Sequence, residues 1–290
     1  MDLPRLAMQI GRSEKVAVMP HVALEAVRKC SCENASPKDL EKVLAADPGL
    51  AARVIKIANC PLYTTSGDVT TVSGAVQVLG LRALKGVIFA AAYDEAIAHV
   101  PGNAGIDRKA IWVHSLLTAF AAREMAPRLG GESDKAYVAG LLHEIGLITL
   151  ARHAPEVVSR ILAAAEKEGR STDDVSIDVL GFTAGDLGAV IAESWRLGAH
   201  VAAAATFITR PALDSSEVTR PITFSVAAGH VLALRATAKP GEEIAIPAGL
   251  QEHLESFSQK EIEELMGRVQ MGVQEVTSAF APSPPGRGQG

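Results

Sequence analysis

The sequence predicts an all-α protein, on three observations. Only 4% of its 290 residues are aromatic, and alanine abounds where a sheet would carry β-branched and aromatic side chains. Apolar residues recur at helical spacing through most of the chain. Capping residues followed by proline or by an acidic first turn punctuate that pattern. At 48% hydrophobic composition and this length, the chain can bury about three-quarters of its unfolded surface. A disordered chain and a disulfide-stapled miniprotein are thereby excluded. Twenty-eight basic and 33 acidic residues leave a net charge of −5, which gives no global attraction to nucleic acid or anionic membrane.

The elements follow in order. Ser36, Pro37 and Asp39 supply the cap, first-turn proline and capping-box partner of a helix striped by Leu40, Val43 and Leu44. Asp47-Pro48 opens the next by the same logic, with Leu50, Val54, Ile55 and Ala58 on its face. Asn59, Pro61 and Gly67 break that pattern. A third helix starts near Thr71 and carries Val72, Ala75, Val76 and Leu79, with Gly80 suited to the position past its end. Leu84, Val87, Ile88 and Ala91 make a fourth. The run Pro101-Gly102-Asn103-Ala104-Gly105 is the strongest internal loop signal and sets a boundary between two helical subdomains.

Beyond it, helices are predicted over 111–125, with Trp112, Leu116, Ala119 and Phe120 inward, and over 135–151, which is apolar nearly all round and therefore central. An amphipathic helix over 156–167 stops at Gly169, and Thr172 caps the next. Helices over 183–196, 199–208 and 222–236 follow, the last closed by Lys239-Pro240-Gly241. Ser258 and Glu261 form a capping box for a final helix to Phe280, and the Pro/Gly-rich residues 282–290 read as a disordered tail. No repeat and no strand is predicted.

The odd set Cys30, Cys32 and Cys60 lacks metal-ligand spacing and reads as free thiols in a reducing, cytoplasmic compartment. Met1–Ile10 has no apolar run of the signal-peptide kind, and no stretch of about 18 uninterrupted apolar residues predicts membrane insertion. No Walker-type or G-x-G-x-x-G loop is present. The segment 36–57 has a superficial helix-turn-helix look, but Lys38, Lys42, Arg53 and Lys56 are offset by Asp39, Glu41 and Asp47, so specific nucleic-acid binding is not expected.

The pair His143-Glu144 stands inside an otherwise uncharged run, Ala139 to Ile148. Ionisable groups there need partners. His114, on the preceding helix, is the third such group. From spacing alone the three are either a metal site drawn from neighbouring helices or core histidines held by hydrogen bonds to backbone or Glu144. His21, His99, His153, His200, His230 and His253 are scattered along the chain and suggest no cluster. Asp178 and Asp186 read as solvated helix positions, with an approach to the His143-Glu144 site as the alternative.

At this point the chain resembles a known family. Asp47-Pro48-Gly49-Leu50 with Arg53, then Ile57-Ala58-Asn59, Tyr63, and Ala75-Val76-Gln77-Val78-Leu79-Gly80 resemble the first half of the HDOD domain. Trp112-Val113-His114-Ser115, the run Ala139 to Gly146, and Leu180-Gly181 through Trp195-Arg196-Leu197 resemble its second half. The motifs occur in order over residues 14–210. The resemblance implies an HDOD domain of two packed subdomains, 14–100 and 106–210, followed by a helical extension over 211–280 and the tail, 281–290.

HDOD domains are similar to the HD superfamily of metal-dependent phosphohydrolases, including the HD-GYP enzymes that act on cyclic di-GMP. The resemblance aligns His114 and His143 with the first two metal-ligand positions, and puts Glu144 where those enzymes carry Asp. Thr183-Ala184 stand where HDOD chains often have Asp-His, Ile208-Thr209 where a His-His pair often follows, and Gly198 in a proline position. This implies an incomplete ligand set, with no metal, no other cofactor and no catalytic residue assigned. For Arg53 and Asn59 a recognition surface stands beside a structural role, with Arg53 paired to Asp47 and Asn59 ending a helix.

The expected function is a non-catalytic bacterial regulatory module that recognises a protein partner, in the setting of cyclic di-GMP or two-component signalling. With no receiver, kinase or GGDEF segment in the sequence, it is expected to act in trans. The alternatives are a residual metal-dependent phosphohydrolase and a nucleotide or cyclic di-GMP receptor using the old cleft.

Overall fold

The computed structural model describes residue 3 and residues 19–30, 36–64 and 68–280. Cys32, Gly67 and the tail 281–290 lie outside them. Among the described residues the protein is all α-helix with two single 3₁₀ turns and no strand.

Helix α1 (His21–Cys30) precedes α2 (Pro37–Leu44) and α3 (Pro48–Ala58). The caps of α2 and α3 work as the sequence predicts. Ser36 and Asp39 exchange backbone-to-side-chain bonds, and Asp47 accepts from the Leu50 N–H at 3.0 Å. Each such cap is worth about 1 kcal/mol. Helix α4 (Val72–Ala98) combines the third and fourth predicted helices, with a break at Gly80, whose φ of 66° and ψ of 166° are open only to glycine. Leu84, Ile88, Phe89 and Tyr93 of α4 are buried, and α1, α2 and α3 all pack on this helix. Helix α4 is also long and apolar enough, by length and composition, to cross a membrane. Most of its apolar stretch is covered by the rest of the protein, as in a core helix of a globular fold.

The second group comprises α5 (Arg108–Met125), α6 (Ser133–Leu142), α7 (Ile145–His153), α8 (Pro155–Glu168), α9 (Thr172–Leu180), α10 (Ala184–Ser194) and α11 (Ala199–Phe207). The single helix predicted over 135–151 is in fact two. The His143 ring nitrogen Nδ1 lies 2.6 Å from the Gly140 carbonyl oxygen and occupies the carbonyl that another helical turn would use. The cap of α9 is Ser171, not Thr172, because the Ser171 hydroxyl is the one that reaches the Asp174 N–H. Trp195, of the family motif, is buried at the end of α10.

Helices α12 (Arg220–Thr237), α13 (Gln251–Glu255) and α14 (Gln259–Phe280) complete the chain. Helix α12 lies against α5 at the centre of the molecule. Helix α14 packs on α5 and reaches α3, with the Phe280 ring edge-on to Trp112 at 5.2 Å, a contact worth about 1 kcal/mol beyond its buried area. One continuous apolar cluster runs from Met19 to Ala279.

Candidate functional site

Two glycines set the geometry of the site. A Cβ on Gly140 of α6 would lie 2.9 Å from the Ala119 Cα, and one on Gly229 of α12 would lie 2.6 Å from the Thr118 carbonyl oxygen. Both helices therefore close on α5 at the same turn, at a distance no larger residue allows. His114 stands one turn before Thr118, His143 three residues after Gly140, and His230 directly after Gly229. The three imidazoles converge, with ligand-capable atoms all within 4.8 Å of one another.

This corrects two sequence expectations. His230 is not a scattered histidine, and the histidine set numbers three, not two. A signal for it exists: His230 is the only ionisable residue between Arg220 and Arg235 in an apolar helix, the same criterion that singles out His143-Glu144.

The bonding fixes chemical states. A carbonyl only accepts, so neutral His143 carries its proton on Nδ1 and presents the lone pair of Nε2. That Nε2 is buried with no hydrogen-bond partner, 3.6 Å from a Glu144 carboxylate oxygen. His114 Nε2 and His230 Nδ1 are 3.0 Å apart, one donating to the other. Burial holds His114 and His143 at about 4, the neighbouring His143 adding to the effect at His114. Burial and the other two imidazoles push His230 well below its ordinary value. All three are neutral near pH 7, the form that ligates metals. Glu144 is half-buried and its carboxyl is pushed up by burial, with His114 acting in the opposite direction. The orphaned Nε2 and the neutral nitrogen set fit a divalent transition metal held by His114, His143 and His230, with Glu144 as the nearest counter-charge.

A cavity of about 440 Å³ opens beside the trio. His143, Glu144 and His230 form one end, the first turns of α9 and α10 contribute Asp173 and Thr183, and Leu147 and Ile161 line an apolar side. Ala184, Ile208 and Thr209 also line it. Asp178 instead pairs with Arg170 at 2.7 Å, and Asp186 closes the capping box with Thr183.

The first-half motif residues lie elsewhere. Arg53 pairs with Asp94, at 3.0 Å, and not with Asp47. Asp47 is committed to its cap behind Pro48, while Asp94 is brought over by the packing of α4 on α3. Asn59 donates to the Ile55 and Val69 carbonyls and accepts from the Val69 N–H, pinning the chain after α3. Cys60 is a free thiol, and burial raises it to about 11.

Residues 16–211 match the family model of the HDOD domain; His230 lies beyond that match. No curated protein matches the chain. Among solved structures, a Shewanella amazonensis SB2B protein provisionally named a phosphohydrolase is 23% identical, with TM-score 0.73, covering 96% of this chain and 98% of its own. An HDOD protein of unknown function from Geobacter sulfurreducens is 21% identical, with TM-score 0.69 and the same coverage. A protein from Marinobacter aquaeolei VT8, provisionally named for signal transduction, is 23% identical, with TM-score 0.68, covering 90% of this chain and 58% of its own. At these identities the likeness establishes the fold, and with the match over two-thirds of its length the chain belongs to the HDOD domain family.

Proposed function

We propose that this chain is a non-catalytic regulatory module that recognises a protein partner, with the cavity beside the histidine trio as its ligand-responsive element. The observation that carries this reading is the cavity wall. Thr183, Ala184, Ile208 and Thr209 line it, at the places where HDOD chains often carry ionisable pairs. Three imidazoles hold one ion, whereas two-metal phosphoryl transfer needs further ligands to hold a second ion and orient water. A single ion would polarise a ligand oxygen or water at the end of the cavity. The volume falls in the range of small-molecule sites, roughly 300–1,000 Å³, which suits a nucleotide-sized signal. The signalling name of the Marinobacter relative agrees with this reading. The partner is expected among two-component or cyclic di-GMP signalling proteins.

The partnerless Nε2 of His143 favours one second reading, a residual metal-dependent phosphohydrolase. Metal stoichiometry on untagged protein, followed by turnover of phosphomonoester, phosphodiester and cyclic di-GMP substrates, separates the two. The regulatory reading expects about one ion per chain, lost in His143→Ala and His230→Ala, with no turnover by the loaded protein. Turnover that disappears in His143→Ala would overturn it.

A further inference from the structure

A second cleft lies away from the histidines, where α4 meets α5, α6 and α11. Arg82 and Lys85 enter it from α4, Arg123 from α5, Lys135 from the first turn of α6, and His200 from α11, with Tyr63 beside them. Four cationic side chains thus converge on a space of about 80 Å³. That is room for two or three waters at roughly 30 Å³ each, the size of one tetrahedral oxyanion.

The charge there is only partly answered. Arg53, Arg128, Arg170 and Arg268 each pair with a carboxylate. Arg123, half-buried, forms no ion pair among the described residues. Lys135 is taken by Glu132, and among the described residues Asp134 is the one carboxylate lining the cleft. Even with Lys85 left out, those two acids leave a positive surplus against Arg82, Arg123 and Lys135. Helix α6 adds to it, since its N-terminus has no side-chain cap and its first turn lines the cleft, which places the positive end of the helix dipole there. The field is felt by His200, held at about 4 by burial and then by Lys135 and Lys85.

We propose that this cleft binds a phosphate group, with Arg123 as its principal ligand and Arg82, Lys85 and the start of α6 around it. A planar guanidinium offers two parallel donors to such an oxyanion. The group is delivered as free phosphate or as the phosphate of a small ester, and either would bridge α4 to the helices that carry the histidines.

The test is calorimetric titration of the full chain with inorganic phosphate, at constant ionic strength and with chelator present to silence the histidine site. Phenyl phosphate and AMP are titrated in parallel. The expected result is saturable binding at one site, weakened about tenfold or more in Arg123→Gln and unchanged in His143→Ala. Tighter binding of an ester identifies a phosphorylated metabolite as the ligand, and equal binding identifies free phosphate. Should Arg123→Gln not fold by circular dichroism, the exposed Arg82→Gln carries the same expectation. No saturable heat, or affinity that survives both arginine substitutions, would overturn the assignment.

Discussion

Asn59, among the N-terminal helices, makes three hydrogen bonds and Arg53 makes two, whereas His143 makes one and leaves its second nitrogen buried and idle. Both regions place polar groups inside an apolar bundle. In the first, the motif residues spend their bonding capacity on the fold: Arg53 ties α3 to α4, and Asn59 ties the end of α3 to the chain leading into α4. In the second, capacity is left over and faces a cavity. A satisfied buried polar group stabilises the chain that surrounds it, and an unsatisfied one costs free energy unless something else completes it. The contrast separates residues that hold the HDOD fold from residues available to a ligand.

The sharpest way to break this comparison is Gly229→Ala. The new methyl would meet backbone atoms of α5, the Thr118 oxygen at 2.6 Å and the Ala122 nitrogen at 2.9 Å, and neither can swing away. Helix α12 must shift, at a cost of about 3 kcal/mol, and His230 is carried off the trio. Urea denaturation and cobalt titration should therefore fail together; wild-type values in either would show that the close approach does not set the site.

Asn59→Ala comes next. It leaves the Val69 amide and carbonyl without their partner, and a loss of about 2 kcal/mol is expected. Cobalt affinity should stay at the wild-type value, since no bond of Asn59 reaches the trio. A fall in that affinity would mean that the two regions are coupled.

The third test is a pH dependence at His200. Its pKa in the folded protein is about 4 against an unfolded value near 6.5. Between those values the unfolded chain binds more protons, so stability rises with pH. The contribution is whole above about 6.5 and is lost as pH falls toward 4. Measured from about pH 7 to about pH 4, the wild type should lose more stability than His200→Gln. Parallel curves would mean that burial and the neighbouring cations do not hold this imidazole neutral.

Much of the fold was legible because its signals are local. Ser36 with Asp39 and Ser258 with Glu261 act within one turn, and the stripes of α2 and α3 need only a period of 3.6. The break of α4 at Gly80 could be read from one residue. The break at His143 could not, because a ring bonding its own helix leaves no mark on apolar periodicity. Of the candidate site, His114, His143 and Glu144 were visible as ionisable groups in apolar runs, read as either a metal site or a hydrogen-bonded core, whereas the place of His230 beside them was not.

By itself the sequence determined the all-helical class, most helix ends and the HDOD family, each written in residues a few positions apart or in ordered motifs. Only the tertiary structure decided the rest. It paired Arg53 with Asp94, 41 positions away, and set His230 against His114, 116 positions away. The first forms because α4 packs on α3, and the second because the glycine-bearing helix α12 closes on α5. The crossing point of packed helices depends on the shapes of all the side chains between them, which no local pattern records.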